Sequence, residues 1–579
     1  MTEVLSLAEA TAAMTAPGQM FEIEPLVLDG VEMSAWKHAA RNLAQILELS
    51  RRHEDAEFLV YENQRVTFNE HYRVVATLAT RLQSLGVTKG ERVAIAARNL
   101  PQWVEAFWAT MVLGAISVPI NAWWTTDELA YGLADSGARV AFVDEERLER
   151  LLPVLDDLPD LVALVVFSLD PANREPLATH GRVSVVRFEE FLGGVDPEAV
   201  APTVDVEPDD VATIFYTSGT TGRPKGAIGT HRNIITNLMN LFFIGQRAAL
   251  RFGAGDDRGQ NATLLNIPLF HATGCLASMV VSTAAGGKLV MMHHFDAGAA
   301  LALIEAERMT LVGGVPTIVM QLLDHPDFPR FDTSSVRSIS YGGAPAPPDL
   351  VRRLRAAFPK AQPGNGYGLT ETSAAVCLNS GPDYVAKPDS CGPAVPVCEL
   401  AIVPENFEGD EPDASLPRGP EVVGELWIKG PNVVRGYWNK PEETDASFSK
   451  GWLKTGDVAR IDEEGFVYIV DRAKDMIIRG GENVYSVIVE AAIFEHPAVA
   501  DCAVVGVPHP TLGEEVAAVV VLRSGTVLEG EALARHVGER LAKFEVPTKY
   551  FFRTVALPRN PQGKVLKREL RDSLLANQT

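Results

Sequence analysis

The sequence contains few cysteines and no long apolar run. Only 5 of its 579 residues are cysteine, and no two of them are spaced as Cys-x-x-Cys. This pattern indicates a reducing compartment and argues against both a disulfide framework and a zinc site. No stretch reaches the roughly 18 consecutive apolar residues that a membrane span needs, and the N-terminus carries no secretory signal. We therefore expect a cytoplasmic protein without a membrane span.

Positive charge is also in short supply. Lys and Arg number 52 against 75 Asp and Glu, so the formal net charge is −23. Such a charge repels nucleic acid and anionic lipid at long range, although it allows a local basic pocket for an anionic substrate. With 46% hydrophobic and 22% charged residues, the composition is that of an ordinary globular protein. The length suggests about three to five packed units.

Short apolar segments alternate with amphipathic helical segments through the first half of the chain. Residues 93–96 and 140–143 predict buried strands, and Pro101 opens a predicted helix between them. This rhythm implies parallel sheets covered by helices, and it restarts on a smaller scale after Asp471, with a strand at 516–522. We therefore predict an α/β fold: a large N-terminal domain of mixed, mostly parallel sheets covered by helices, and a small C-terminal α+β domain.

The predicted boundaries divide the chain into three parts. Residues 1–30 are an N-terminal extension, residues 31–471 are the large domain, and residues 472–579 are the small domain. Within the large domain, the acidic stretch 404–420 is rich in Pro and Gly, which predicts an exposed loop.

The most informative segment follows a predicted strand that ends at Phe215. It reads Tyr216-Thr217-Ser218-Gly219-Thr220-Thr221-Gly222-Arg223-Pro224-Lys225-Gly226. Glycines let the backbone turn tightly and expose N–H groups, hydroxyls add donors, and Lys225 adds a positive charge. Such a loop is suited to phosphate oxygens, although the Walker A pattern cannot be placed on it. The alternative is a solvated turn rich in Ser, Thr and Gly.

Two further segments combine glycines with chemically useful side chains. In Gly366-Tyr367-Gly368-Leu369-Thr370-Glu371-Thr372, the tyrosine offers a flat face for stacking, Thr370 a hydroxyl, and Glu371 a hard oxygen for Mg²⁺. The segment misses the GxGxxG dinucleotide pattern. In Gly451-Trp452-Leu453-Lys454-Thr455-Gly456-Asp457, a carboxylate in a tight turn can accept both ribose hydroxyls. The alternatives are a glycine-rich turn before a helix and a hairpin turn.

The last two segments lie at the predicted domain boundary and near the C-terminus. The first combines Asp471-Arg472-Ala473-Lys474-Asp475 with Arg479-Gly480-Gly481-Glu482-Asn483. The second is Pro558-Arg559-Asn560-Pro561-Gln562-Gly563-Lys564, a rigid turn that presents one lysine. Taken alone, Lys474 and Lys564 would be solvated surface charges, which is the usual fate of lysine.

In this order and spacing, the five segments resemble the adenylate-forming superfamily of acyl-CoA synthetases, luciferases and peptide-synthetase adenylation domains. The resemblance extends from about Leu43 to Arg568. It implies an AMP-forming acid–thiol ligase that uses ATP, Mg²⁺ and coenzyme A in two half-reactions. A carboxylate would attack the α-phosphate of Mg·ATP, giving an acyl-adenylate and pyrophosphate. A thiol would then displace AMP.

The resemblance also implies roles for individual residues. The residues expected at the β- and γ-phosphates are Thr217, Ser218, Gly219, Thr220, Thr221, Gly222 and Lys225. Those expected around the adenosine are Gly343, Ala344, Pro345, Gly366, Tyr367, Gly368, Asp457 and Arg472. For the chemistry, Lys564 is expected to bridge the carboxylate and the α-phosphate, Thr370 to contact the α-phosphate, and Glu371 to bind Mg²⁺.

Lys474 matches the hinge position of the family. The resemblance implies that the C-terminal domain is mobile and pivots there after adenylation. That rotation would remove Lys564 and bring Gly480 and Gly481 to line a tunnel for the pantetheine arm of CoA. Glycine suits such a tunnel because a side chain would narrow it.

The segment from Pro268 to Gly274 resembles the one that gates the acyl pocket. Amino-acid-activating relatives carry Asp at the position of His271, so an α-amino acid is disfavoured; the alternative for His271 is a packed core histidine. The residues expected to make the pocket roomy and apolar are Gly313, Gly314, Gly342, Gly343, Val315, Ala375 and Val376. These features fit a medium- or long-chain fatty acid, which we favour, or an aryl-substituted acid.

Several alternatives to a fatty acid–CoA ligase are open. The chain ends soon after Lys564, which leaves no room for a fused carrier domain and favours free CoA as acceptor. An aryl or arylalkanoic acid–CoA ligase, or an acyl-AMP ligase that loads a separate carrier protein, fits the same motifs. A non-catalytic nucleotide-binding protein should have lost Lys564 or Glu371, and a serine hydrolase should carry Gly-x-Ser-x-Gly. The oligomeric state is open, with a homodimer among the options.

Overall fold

The computed structural model describes residues 4–168, 177, 179–217, 223–253, 259–343, 350–404, 407–413, 416–417, 419–559 and 564–576. The α-helices in these ranges are α1 Leu7–Thr15, α2 Leu43–Ser50, α3 Phe68–Ser84, α4 Pro101–Val112, α5 Thr126–Ser136, α6 Glu145–Leu151, α7 Phe188–Leu192, α8 His231–Phe252, α9 Val280–Ala285, α10 Ala297–Ala306, α11 Pro316–Leu323, α12 Leu350–Ala357, α13 Gly381–Ala386, α14 Pro441–Ser447, α15 Ser486–Phe494, α16 Gly530–Gly538 and α17 Lys567–Ala576. None of these helices is both long and apolar enough to cross a membrane.

Two large sheets of mostly parallel strands form the main body. The strands in chain order are β1 Ile23–Leu28, β2 Val31–Trp36, β3 Glu57–Tyr61, β4 Gln64–Thr67, β5 Arg92–Ala96, β6 Ile116–Pro119, β7 Val140–Asp144, β8 Ala163–Phe167, β9 Ser184–Arg187, β10 Val211–Thr217, β11 Lys225–Thr230, β12 Ala262–Leu265, β13 Lys288–Met291, β14 Leu311–Gly314, β15 Ser338–Gly342, β16 Gln362–Tyr367 and β17 Cys377–Ser380. One sheet has the order β11-β10-β6-β5-β7-β8-β9, and the other has the order β17-β16-β15-β14-β12-β13-β3-β4. Antiparallel pairing occurs only at their edges among the described pairs, at β10–β11, β3–β4 and β16–β17.

The remaining strands build two smaller sheets. They are β18 Gly392–Pro393, β19 Glu399–Val403, β20 Gly424–Lys429, β21 Phe448–Ser449, β22 Trp452–Ile461, β23 Phe466–Arg472, β24 Ile477–Arg479, β25 Glu482–Val484, β26 Val499–His509, β27 Gly513–Leu522 and β28 Lys549–Arg553. The first sheet, β18-β23-β22-β20-β19 with β21, is antiparallel. The second, β25-β24-β27-β26 with β28, carries α15, α16 and α17 and is the α+β unit at the C-terminal end. These sheets confirm the predicted fold class.

Helix α4 lies in the largest hydrophobic core, between the two parallel sheets. All of its residues are buried, including Trp103, Phe107 and Trp108. The same core contains Val93 from one sheet and Leu289 from the other. A helix that is buried on every face must be covered on every side, and two sheets can do this. By packing between the two sheets, α4 fixes the cleft between the carboxyl ends of their strands.

The N-terminal segment packs on the main body rather than standing apart from it. The hairpin β1–β2 and the end of the preceding turn insert Phe21 and Trp36 against Phe243 of α8. The indole Nε1 of Trp36 donates a hydrogen bond of 2.8 Å to Asn240 Oδ1. The predicted division at residues 30 and 31 falls in the turn of this hairpin and stays a prediction. The predicted division at 471 and 472 falls at the end of β23 and likewise stays a prediction.

Arg147 of α6 offers a test of how the core tolerates charge. Its side chain is 1% exposed and forms a bidentate ion pair with Asp144, which also accepts the backbone N–H of Arg98. We expect Arg147→Met to lower the free energy of unfolding by about 3–5 kcal/mol, because Asp144 would remain buried and unpaired. Urea unfolding followed by tryptophan fluorescence measures this.

The matched control is Arg330→Met, which removes an arginine that is 80% exposed and paired to Asp327 three residues away. Exposed pairs of this kind contribute little, so the unfolding midpoint should not change measurably. Equal midpoints for both variants would mean that the buried pair of Arg147 is not structurally important.

Candidate active site

A cavity of about 2090 Å³ opens between the carboxyl ends of the parallel strands and the C-terminal α+β unit. The cavity is lined by residues that directly follow β12, β13, β14 and β16. Residues of β22 and of later segments also line it, including Lys564 of the C-terminal unit. In open α/β sheets, ligands bind at the carboxyl ends of the strands because the loops there present free backbone and side-chain groups. This cavity is therefore the candidate active site.

The predicted phosphate loop connects β10 to β11 beside this cavity. Its central residues, Ser218, Gly219, Thr220, Thr221 and Gly222, lie outside the described residues. Its two ends are described, because Thr217 and Lys225 are opposite each other in the strand register and both line the cavity. The hydroxyl of Thr217 donates 3.3 Å to the Lys225 carbonyl, and the Lys225 ammonium lies 4.4 Å from the Tyr437 ring centroid.

Strand β16 ends in the turn that carries Thr370 and Glu371. The turn is a single 3₁₀ turn, Thr370–Thr372, and both predicted residues line the cavity. A Cβ on Gly368 would lie 1.4 Å from the Ala374 carbonyl oxygen, so only glycine allows this close return of the chain. Glu371 accepts a hydrogen bond of 2.9 Å from the Tyr437 hydroxyl through Oε1. Its carboxylate is therefore oriented by a neighbour that the sequence did not single out.

Asp457 and Arg472 form an ion pair across two adjacent antiparallel strands. They are opposite each other in the register of β22 and β23, and Arg472 Nε lies 2.8 Å from Asp457 Oδ1. The other oxygen of Asp457 accepts a hydrogen bond of 2.7 Å from the Tyr367 hydroxyl. Burial disfavours the charged form of Arg472. The carboxylate of Asp457 favours that form, and the pKa of Arg472 is held above its usual value. Burial and this carboxylate also raise the pKa of Tyr367 well above its usual range.

The predicted nucleotide residues divide into those at the cavity wall and those behind it. Gly343 lines the cavity, and a Cβ there would meet nothing within 4 Å. Gly366, Tyr367 and Asp457 are not among the described lining residues, while Arg472 is. Ala344 and Pro345 lie outside the described residues. The predicted stacking of Tyr367 on adenine stays a prediction.

Lys564 reaches this cluster from the C-terminal unit. Burial and the nearby Arg472 lower the pKa of Lys564 to about 8, against the opposing influence of the Asp457 and Glu371 carboxylates. Lys564 lines the same cavity as Arg472 and Glu371, so it lies among residues predicted to hold the nucleotide and Mg²⁺. Lys474 also lines the cavity, and burial lowers the pKa of its ammonium. Gly480 and Gly481, at the turn between β24 and β25, are not among the described lining residues in this orientation of the C-terminal unit.

His271 is among the residues that line the cavity. Burial, together with Lys564, lowers the pKa of His271 to about 3, so the imidazole is neutral at physiological pH. Its segment turns sharply into the π-helical turn Thr273–Met279, and a Cβ on Gly274 would lie 2.3 Å from the Pro268 carbonyl oxygen. A neutral imidazole in this place fits an apolar acyl pocket and does not pair with an ammonium group.

The acyl side of the cavity differs in part from its predicted lining. Gly314, Val315, Gly342 and Gly343 line it together with Phe270, Met292, Thr317 and Ile318. Gly313 does not, because a Cβ there would lie 2.4 Å from the Ser340 carbonyl oxygen of the adjacent strand, so this glycine serves the sheet. Val376 is fully buried in a separate core, and Ala375 is not a lining residue among those described. For these three positions, the expected place in the pocket wall was wrong.

Two site residues were missed by sequence reasoning. Tyr437 supports Glu371 and Lys225, and its only signal was an aromatic residue beside Gly436 in a loop. Glu425 of β20 lines the cavity and accepts the backbone N–H of Gly456 at 2.9 Å, which fixes the turn before Asp457. Nothing in the strand pattern separates Glu425 from an ordinary exposed strand residue.

A large α/β body, a cavity at the carboxyl ends of its strands and a lysine that a C-terminal unit supplies to that cavity together indicate a nucleotide-dependent enzyme. The family model described as AMP-binding enzyme matches residues 47–438, and the model of the AMP-binding enzyme C-terminal domain matches residues 488–564. The chain therefore belongs to the adenylate-forming superfamily of AMP-binding enzymes and is of the AMP-forming acyl-CoA synthetase type.

Individual proteins show the same likeness over most of the chain. A feruloyl-CoA synthase of Amycolatopsis sp is 36% identical over 507 residues, which cover 87% of this chain and 93% of that protein. A long-chain-fatty-acid–CoA ligase of Bacillus subtilis is 34% identical over 556 residues, covering 92% and 94%. The o-succinylbenzoate CoA synthetase from Bacillus subtilis, solved with its acyl-adenylate OSB-AMP, is 30% identical, covers 92% and 98%, and superposes with a TM-score of 0.73.

The pKa of Lys564 predicts a pH dependence for adenylation. A lysine loses its charge as pH rises through its pKa, so kcat/KM for acyl-adenylate formation should fall above a pH of about 8. Pyrophosphate release measured across a pH series tests this. Lys564→Arg keeps a cation over the whole range, so its residual activity should lose this alkaline limb. An identical limb in the arginine variant would assign the titration to another group.

Proposed function

We propose that this protein is an ATP-dependent, AMP-forming carboxylic acid–CoA ligase. The observation that carries the proposal is the meeting of Lys564 with Glu371 and Arg472 in one cavity, with Asp457 paired to Arg472 behind its wall, although the lysine comes from the C-terminal unit. Such a cluster offers cations for a triphosphate and a carboxylate, and it leaves Glu371 to face the cavity. The family to which the chain belongs supports the same reaction.

In the first half-reaction, the carboxylate oxygen of the acid would form a bond to the α-phosphorus of ATP. The bond between that phosphorus and the bridging oxygen would break, and pyrophosphate would leave. Lys564 would lie between the two reacting anions, where a positive charge offsets the negative charge that gathers in the transition state. Because a carboxylate is a weak nucleophile, holding it in line with the phosphorus supplies much of the acceleration.

In the second half-reaction, the CoA thiol would attack the carbonyl carbon of the acyl-adenylate. The bond between this carbon and the AMP oxygen would break, the thiol would lose its proton, and a thioester would form. Lys564 has no role in this step, so the C-terminal unit is free to rotate about Lys474. Gly480 and Gly481, which lack side chains, would then form the passage for pantetheine.

Magnesium would be held by Glu371 together with phosphate oxygens of ATP. Tyr437 occupies one carboxylate oxygen of Glu371, and the carboxylate lines the cavity. Among the described residues, no group of three or more His, Cys, Asp or Glu could hold a metal ion alone. This fits Mg²⁺, which typically uses one or two carboxylates plus substrate phosphates and water rather than a complete protein cage.

For the acid, we propose a medium- or long-chain fatty acid. Phe270, Val315 and Ile318 give the acyl side an apolar surface, and the neutral His271 adds no charge. The similarity to a long-chain-fatty-acid–CoA ligase supports this choice. Burying each methylene of a chain contributes about 0.8 kcal/mol, so affinity should rise with chain length.

An aryl-substituted acid is the second candidate. Gly342 and Gly343 line the cavity, and a Cβ at Gly343 would meet nothing within 4 Å, so a flat ring can approach the backbone there closely. The similarity to a feruloyl-CoA synthase favours it.

We also place the enzyme in the cytoplasm, because its five cysteines are buried and free of disulfides.

The substrate class is tested with Mg·ATP, CoA and a panel of acids, with products identified by mass spectrometry. The panel runs from short to long fatty acids and includes benzoic, phenylacetic and cinnamic acids. We expect AMP and acyl-CoA, with kcat/KM increasing along the fatty acid series. A preference for cinnamic acids would select the second candidate. Acyl-AMP without thioester would move the acceptor to a carrier protein, and no AMP from any acid would contradict the proposed function.

The role of Lys564 is tested by Lys564→Ala. Loss of a charge that acts in the transition state should slow acyl-adenylate formation by about 100- to 1,000-fold. Thioester formation from a supplied acyl-adenylate should stay near the wild-type rate. Lys543→Ala, which removes an exposed lysine of the same unit, is the control and should change neither rate. An equal loss in both half-reactions would contradict the role given to Lys564.

A further inference from the structure

Asp471 is a buried carboxylate that the proposed chemistry does not use. It lies at the end of β23, directly before Arg472, and its residue is 1% exposed. Isolated carboxylates are not tolerated in such surroundings unless several donors satisfy them. The partners of Asp471 therefore identify which part of the structure needs this charge.

The donors to Asp471 come mainly from beyond the hinge residue Lys474. Ser486 begins helix α15, and both its backbone N–H and its hydroxyl donate to Asp471, the hydroxyl at 3.0 Å. The backbone N–H of Arg472 donates to Oδ1 at 2.8 Å. A carboxylate at the first turn of a helix also interacts favourably with the helix dipole. The large body thus holds the start of a helix of the C-terminal unit.

Lys567 completes the cluster from the far end of the same unit. Its ammonium lies 2.7 Å from Glu490 Oε1 and donates at 2.7 Å to the Ser486 hydroxyl oxygen. Although burial disfavours its charge, the carboxylates of Glu490 and Asp471 hold the pKa of Lys567 above its usual value. Lys567 is the first residue of α17 and stands three positions after Lys564. The contacts therefore connect Asp471 to the segment that presents the catalytic lysine.

We propose that Asp471 is a positioning residue that latches the C-terminal unit in the orientation for adenylation, through Ser486 and Lys567, and so holds Lys564 in the cavity. The inference rests on the proposed function, since it assumes that Lys564 acts in adenylation. Asp471 precedes Lys474, whereas Ser486, Glu490 and Lys567 follow it. Any large rotation about Lys474 must separate Asp471 from Ser486 and Lys567.

The latch changes the free energy of one orientation of the C-terminal unit, the one that adenylation requires. Leaving the adenylation orientation breaks the bonds of a buried carboxylate and exposes or strands its charge, which is unfavourable. The latch therefore increases the population of the orientation in which Lys564 reaches the cavity. Loosening it should slow adenylation while it leaves the thioester step unchanged or faster.

The primary test compares both half-reactions in Asp471→Asn, which keeps the shape of the side chain and removes its charge. We expect acyl-adenylate formation to slow by at least about tenfold, equivalent to about 1.4 kcal/mol. Thioester formation from a supplied acyl-adenylate should stay within about twofold of wild type or increase. Lys567→Met should behave similarly, and Lys567→Arg should restore most of the adenylation rate because it keeps the cation.

A matched control separates positioning from simple loss of stability. Glu515→Gln removes a carboxylate that pairs with Lys549 at 2.7 Å within the C-terminal unit and contacts neither Asp471 nor Lys567. It should leave the ratio of the two half-reaction rates unchanged. Ser486→Ala removes only one hydroxyl of the cluster, so it provides a folded variant if Lys567→Met does not fold.

A second readout reports the orientation directly, without catalysis. All five native cysteines are buried, so spin labels can be attached at Gln83→Cys on α3 and at Val527→Cys, an 88% exposed position of the C-terminal unit. Electron–electron distance measurements should give one main distance with Asp471 and a broader or second distribution with Asp471→Asn.

The outcomes distinguish the latch from the proposed function. If Asp471→Asn leaves the distance distribution and the adenylation rate as in wild type, the latch is wrong. The same holds if both half-reactions slow equally while the distribution is unchanged. If wild-type enzyme forms no acyl-adenylate from any acid, the proposed function fails, and the distance measurement alone still decides whether Asp471 holds the unit.

Discussion

The ion pair between Asp457 and Arg472 is the interaction on which the site depends. It joins β22 to β23 at Arg472, two residues before the predicted hinge residue Lys474. The Tyr367 hydroxyl donates to the second oxygen of the Asp457 carboxylate. Because Asp457 is 3% exposed, a displacement of β23 would leave a buried carboxylate without its cation. The pair thus fixes the base of the nucleotide site and the starting point of the C-terminal unit together.

The second constraint is electrostatic. The protein has a net charge of −23, yet its proposed substrates, ATP and a carboxylate, are anions. The cavity resolves this conflict by gathering Lys225, Arg472, Lys474 and Lys564 from three separate segments of the chain. Burial and the nearby Arg472 lower the pKa of Lys564. These cations repel one another, which is unfavourable. The arrangement nevertheless suits a triphosphate, whose negative charge would offset the repulsion.

The fold class and several elements could be predicted from the sequence, because they depend on local patterns. The strands at 93–96 and 140–143 agree with β5 and β7 to within one residue, and the helix at Pro101 starts where proline favours a first turn. The pocket wall was predicted less well. Gly313 serves the adjacent strand and Val376 a separate core, since spacing alone does not say which face of a segment points to which neighbour.

The sequence by itself determined the reaction class, because the glycines predicted to bind phosphate, the Thr370–Glu371 pair and a C-terminal lysine each occur within one short segment. Only the tertiary structure decided which groups surround them. Tyr437 behind Glu371, and Ser486 and Lys567 around Asp471, are brought together from positions 66, 15 and 96 residues apart. Such contacts depend on how sheets and units pack, and no local pattern encodes that packing.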